Sequence, residues 1–134
     1  MSYVEDLTPQ QAWQKLADGA LLVDVRSVSE WKHIGVPDTS ALGRKPLFVQ
    51  WNLNGGVPNN AFLDQLKDAL GEEDRGRDLV FLCRSGARSA AAAQAAAAAG
   101  YTAYNVLEGF EGDADEYGVR NVAGWKVRGL AWTK

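Results

Sequence analysis

Two stretches of the chain carry almost no polar side chains, Ala20-Leu21-Leu22-Val23-Asp24-Val25 and Asp78-Leu79-Val80-Phe81-Leu82. Each has the length of a single strand, and neither alternates between apolar and polar residues. A strand of that kind has to be covered on both faces, as happens in a parallel sheet with helices above and below. A third strand is expected over 101–107, and between it and the second lies the alanine-dominated run 89–99, a strong helix former stopped by Gly100. Small side chains there let a helix sit close to a sheet. Upstream, Thr8 offers an N-cap and Pro9 a first helical residue, with Ala12, Trp13, Leu16 and Ala17 on one face and Gly19 at the end. One or two helical turns are expected over 27–32, an irregular stretch over 33–46 and a strand over 47–51. A turn region over 52–58 leads to a helix capped by Asn59 or Asn60 and ending at Leu70. A charged loop fills 71–77, and the tail from 108 holds a short helix near 124–128. The 134 residues then form one domain over 1–134, an α/β fold with a central parallel sheet flanked by helices on both faces.

Composition removes several function classes. A formal net charge of -3 and a pI near 5.1 speak against a nucleic-acid binder. No apolar run approaches the roughly 20 residues that span a bilayer, so no membrane association is expected. The first residues show neither a basic region nor an apolar signal core, which makes the cytoplasm the expected location. One cysteine and one histidine can build neither an internal disulfide nor a structural zinc site, so neither metal nor cofactor is expected. Cys83 is therefore a small buried residue or a reactive thiol.

Its surroundings favour the second. Cys83 follows the apolar strand at the carboxyl end, where α/β sheets bind ligands, and is followed by Arg84-Ser85-Gly86-Ala87-Arg88-Ser89 and then the helix. Gly86 opens backbone conformations barred to other residues. A tight loop of small residues turns successive N–H groups inward as an anion nest, and the helix start adds its positive dipole end. Two arginines add full charge. Such a setting favours a thiolate, which is the nucleophile, and would equally stabilise a cysteine persulfide. A buried packing role has no use for two arginines and a glycine.

These residues, with Leu22-Val23-Asp24-Val25-Arg26, Glu30-Trp31, Asn105-Val106-Leu107-Glu108-Gly109 and Gly124-Trp125-Lys126-Val127-Arg128-Gly129-Leu130, resemble a single-domain rhodanese, a sulfurtransferase. The resemblance implies that Cys83 takes the sulfane sulfur of a thiosulfate-like anionic donor as a persulfide. A thiophilic acceptor, cyanide or a thiol, a protein thiol included, would then remove it. It implies that Arg84 and Arg88 orient the donor and that the amides of Ser85, Gly86, Ala87, Arg88 and Ser89 cradle the outer sulfur. Asp24, Arg26 and Glu30 would serve structure, with Asp24 hydrogen-bonded beneath the loop and Arg26 paired with Glu30. The segment Lys32-His33-Ile34-Gly35-Val36-Pro37-Asp38 departs from the family pattern, so His33 is read as structural or surface. The stretch 110–123 is read as a solvated loop or one wall of the site. Trp51 is read as core, surface or the lining of the mouth.

Two other functions compete. Phosphatases and arsenate reductases of similar architecture put five residues between cysteine and arginine, and here four separate Cys83 from Arg88. The shorter loop suits one sulfur atom better than a tetrahedral oxyanion. A non-catalytic rhodanese-like binding module typically lacks the cysteine or degrades the loop, and both are present.

Overall fold

The computed structural model describes residues 3–134. Among the described residues, five strands, β1 (Glu5–Leu7), β2 (Leu21–Asp24), β4 (Leu47–Phe48), β5 (Leu79–Leu82) and β6 (Ala103–Val106), form a wholly parallel sheet. Their spatial order is β1-β6-β5-β2-β4. Every residue of β2, β5 and β6 is buried, as the unbroken apolar runs require. Residues Val36–Pro37 (β3) and Trp132–Thr133 (β7) make a separate two-stranded antiparallel ribbon that ties the end of the chain to its first third.

The α-helices of the described residues are α1 (Pro9–Ala17), α2 (Val28–His33), α3 (Phe62–Ala69) and α4 (Ala87–Ala98); α1, α3 and α4 supply buried residues to the core, and α2 supplies none. The core divides by face. One layer joins Leu21, Val23, Phe81 and Cys83 to Phe62 and Leu66 of α3 and to Ala92, Ala93 and Ala96 of α4. The other joins Leu22, Val80, Leu82 and Val106 to Ala12 and Leu16 of α1 and to Phe110 and Trp125 of the tail. Alternation along each strand assigns these sides, since successive side chains point to opposite faces. It places Cys83 under α4 and Asp24 on the reverse face.

Local chemistry sets the helix starts. Thr8 and Gln11 form a reciprocal capping box at α1, and Ser27 and Glu30 form one at α2. Asn59 caps no helix. It anchors the preceding turn by donating to the Gln50 carbonyl and accepting from the Ala61 amide, and α3 begins after Ala61. The tail helix expected near 124–128 is a single turn closed by Arg128 N–H to Gly124 O at 3.0 Å. The strand expected over 47–51 pairs in strand geometry over Leu47–Phe48 alone, then continues as single hydrogen bonds from Val49 and Trp51 to the end of β2.

Candidate active site

Cys83 leaves β5, the middle strand of the sheet, and its side chain lies under the start of α4 with 1% of the residue exposed. The Gly86 N–H donates to its Sγ at 3.1 Å, and the Ser89 Oγ lies 3.2 Å from the same atom. Gly86 is the residue before α4 and has φ +107°. The left-handed backbone there turns the loop back over the sulfur, a conformation open to glycine.

The amide directions follow from the peptide planes. The Cys83 carbonyl accepts from Phe110 N–H at 2.8 Å, and the Arg84 carbonyl accepts from Glu111 and Gly112 N–H at 3.0 and 3.1 Å. No peptide among the described residues is cis, so each N–H that follows points opposite to its carbonyl. Arg84 and Ser85 therefore aim their amides away from the 110–112 wall. The Gly86 carbonyl accepts from Ala90 N–H down the helix, which turns the Ala87 amide toward the loop. The amides of Arg84, Ser85, Ala87, Arg88 and Ser89 donate to no acceptor among the described residues. They form a cluster of donors without acceptors at a helix start, the kind of site that suits one small anion.

The second wall is closely fitted. A Cβ on Gly109 would meet Arg84 O at 2.4 Å, and one on Gly86 would meet Leu107 O at 2.2 Å. The tail locks this wall from behind: Trp125 is fully buried, its amide donates to Gly109 O at 2.9 Å, and its indole donates to Ala131 O at 2.8 Å.

The arginines are arranged differently from the sequence expectation. Arg88 is committed to Glu30, with Nη1 and Nη2 at 2.7 and 3.0 Å from the two carboxylate oxygens. Arg84 has a 47% exposed side chain, and its Nε lies 3.5 Å from Glu111 Oε1. That oxygen, buried, has no hydrogen bond among the described residues, so the contact is an ion pair of poor geometry. The expected Arg26–Glu30 pair does not form. Arg26 is fully buried and binds both oxygens of Asp24, with Nη2 at 2.7 Å from Oδ2, donates to Gly35 O at 2.8 Å, and stacks over Phe110 at 4.2 Å. Asp24 is spent on Arg26 and does not reach the loop. The reason is parity: residues 24 and 26 share the face opposite Cys83, whereas Glu30 on α2 faces α4. His33 is on the surface, held by its own helix through Ser29 O at 2.8 Å. Trp51 is half-buried edge-on to Phe62, with ring centroids 5.0 Å apart, against the core layer that contains Cys83. The 110–123 stretch divides: Phe110 is core, while Asp113 and Ala114 line a groove of about 510 Å³ that runs past Leu107 to Ser85.

Two features were invisible in sequence. One is the Arg88–Glu30 pair, which joins residues 58 apart. The other is a chain of hydrogen bonds from buried Ser89 through buried Asn105 to the exposed Asp6; Asp6 and Asn105 are direct partners in the β1–β6 register.

Burial pushes the Glu30 carboxyl up, but the hydrogen bonds and charge of Arg88 outweigh it and hold the group below its usual range. Arg88 is raised, first by its hydrogen bond to Glu30. A carboxyl depressed in the folded state contributes stability above its unfolded pKa, and that contribution is lost as pH falls through the folded value. Glu30→Gln keeps the capping oxygen of α2 but leaves Arg88 half-buried and unpaired. It is expected to cost about 1–2 kcal/mol at neutral pH, with the gap to wild type closing on acidification. Urea unfolding at two pH values checks both parts.

The model of the Rhodanese-like domain matches residues 8–116, and the chain belongs to that family. Its curated relatives include the "Uncharacterized protein RP600 homolog" of Rickettsia rickettsii, 36% identical over 132 residues that cover 96% of this chain and 97% of that one. "Uncharacterized protein RC0915" of Rickettsia conorii is 35% identical over the same shares. Among solved structures, "Crystal structure of Rv0390 from M. tuberculosis" superposes with a TM-score of 0.92 at 48% identity, covering 98% of both chains. "Crystal structure of reduced Bacillus anthracis CoADR-RHD" gives a TM-score of 0.55 at 24% identity over 79% of this chain and 16% of that one, a likeness of fold. No helix among the described residues is long and apolar enough to cross a membrane.

Proposed function

We propose that the protein is a sulfurtransferase that carries a sulfane sulfur on Cys83. The observation that supports this most is the loop itself: one amide already on Sγ at 3.1 Å, and five more without acceptors around the start of α4. The Cys83 thiolate attacks the outer sulfur of thiosulfate or a similar anionic donor. A new S–S bond forms on Cys83, the bond to the sulfonate sulfur breaks, and sulfite leaves with that electron pair. The persulfide anion then rests among the amides, where each charge-assisted hydrogen bond is worth about 1.5–3 kcal/mol. Cyanide or a thiol attacks the outer sulfur, carries it off as thiocyanate or a new persulfide, and returns Cys83 as thiolate. No oxidant is required.

Arg88 supports the loop through Glu30 in this scheme, and Arg84, the more exposed guanidinium, meets the donor. The reading as a binding module draws on one observation, the 1% exposure of Cys83, which leaves a narrow approach to the sulfur. Intact-mass measurement after incubation with thiosulfate separates the two. A gain of one sulfur atom that cyanide discharges is the expected result. An unchanged mass, with the thiol still titratable after unfolding, supports the module. A protein thiol as acceptor and a reducing cytoplasmic setting belong to the same proposal, since a lone reactive thiol is kept reduced there.

A further inference from the structure

The arginine–glutamate pairs around the loop and its wall are unequal. Arg88 grips Glu30 through two bonds at 2.7 and 3.0 Å, and Arg128 grips Glu108 through two at 2.9 and 3.2 Å. Arg84 has a single contact, Nε to Glu111 Oε1 at 3.5 Å, which is not a hydrogen bond. The Glu111 side chain is only 13% exposed, so that buried oxygen has given up water without gaining a donor. An unpaired buried oxygen in a close-fitted wall calls for a reason. The arginine it faces supplies one, because Arg84 is the guanidinium open to an incoming anion.

The main chain fixes the relation between the two residues. Glu111 N–H donates to Arg84 O at 3.0 Å, so they stay fastened whatever their side chains do. The carboxylate draws the guanidinium onto the 110–112 wall, from which the Arg84 amide points away. Long contact and a 47% exposed arginine keep that pull weak enough to break.

We propose that Glu111 is a positioning residue for Arg84, an internal counter-anion that competes with the donor anion for the guanidinium. An anion that takes two guanidinium N–H groups at once displaces it, and a neutral molecule gains nothing by doing so. When the product anion leaves, Glu111 takes Arg84 back. Anion affinity is thereby lowered by the fraction of Arg84 that is free. The inference rests on the sulfurtransferase reading for its purpose and on none of that chemistry for its test.

The probe is sulfate, an unreactive anion with the charge of thiosulfate. It is titrated at constant ionic strength into the isotope-labelled protein and followed by NMR at the amides of Arg84, Ser85, Ala87, Arg88 and Ser89. Glu111→Gln keeps the side-chain size and the backbone bond to Arg84, and is expected to tighten sulfate binding about threefold. Glu111→Ala removes the unpaired oxygen altogether and is expected to give the same gain. Arg84→Met is expected to weaken binding, and Glu111→Gln in that background is expected to add nothing. Thiosulfate loading of Glu111→Gln is expected to reach half its maximal rate at a concentration about threefold lower, with the maximal rate unchanged. A gain of equal size with and without Arg84 overturns the proposal in favour of plain repulsion between carboxylate and anion. So does unchanged affinity in both Glu111 variants, or sulfate that moves none of those amides in any variant. The sulfate pattern in a protein that takes no sulfur from thiosulfate upholds this inference and refutes the transferase reading. Loading without the sulfate pattern does the reverse.

Discussion

Cys83→Ser is expected to lose sulfur loading down to background while folding as the wild type does. The two side chains differ little in shape, and the partners at this position accept either. Gly86 N–H and Ser89 can hydrogen-bond a serine oxygen where they now meet Sγ. A buried hydroxyl that keeps its partners costs about 1 kcal/mol or less, so denaturant midpoints should nearly coincide. The chemistry does not survive, because an alkoxide is not formed at neutral pH and an oxygen cannot store a sulfane sulfur in a stable S–S bond. Mass spectrometry of the thiosulfate-treated variant, read beside its unfolding curve, checks both halves. Loading that persists would move the nucleophile off the sole cysteine of the chain.

Gly86→Ala is expected to be the most damaging conservative change in the loop. The residue sits at φ +107°, where an L side chain is strained, and its Cβ would lie 2.2 Å from the Leu107 carbonyl oxygen. Backbone, not a flexible side-chain tip, is what it meets. Strain and displacement together are expected to cost about 3 kcal/mol or more. Because the Gly86 amide is also the donor to Sγ, the shift that relieves the clash moves that donor. Sulfur loading should fall along with stability, even at temperatures where the variant is fully folded. Gly100→Ala, another left-handed glycine with open space around it, is the control: it carries the backbone strain without the collision and should lose about 1 kcal/mol and no loading.

What could be read in the sequence was whatever chemistry is local. Apolar runs at 20–25 and 78–82 announced strands covered on both sides, and β2 and β5 are buried throughout. Thr8-Pro9 announced α1, and the alanine run announced a helix that lies against β5 and β6. The loop from Cys83 to Ser89 was recognisable because a glycine, small residues and a helix start have to be consecutive to build it. What escaped was set by distance along the chain. β1 has three residues, two of them exposed, and exists because β6, almost 100 residues later, offers an open edge. The β3–β7 ribbon joins two-residue strands whose side chains carry no strand pattern. The ion pairs were exchanged for the same reason. Arg26 and Glu30 look like neighbours in sequence, yet strand alternation sends Arg26 to the reverse face, where Asp24 and Phe110 hold it, and leaves Glu30 to Arg88. Of the two arginines expected to add charge beside the amides, Arg88 is bound to Glu30.

The central claim is that the loop amides, with Arg88 bound to Glu30, hold the outer sulfur. A crystal structure of the protein after treatment with thiosulfate tests it directly. The expected result is one added sulfur on Cys83, within hydrogen-bonding distance of several of the amides of Arg84, Ser85, Ala87, Arg88 and Ser89, with Arg88 still bound to Glu30. An unmodified Cys83, or an added sulfur held by guanidinium groups with those amides turned aside, would contradict it.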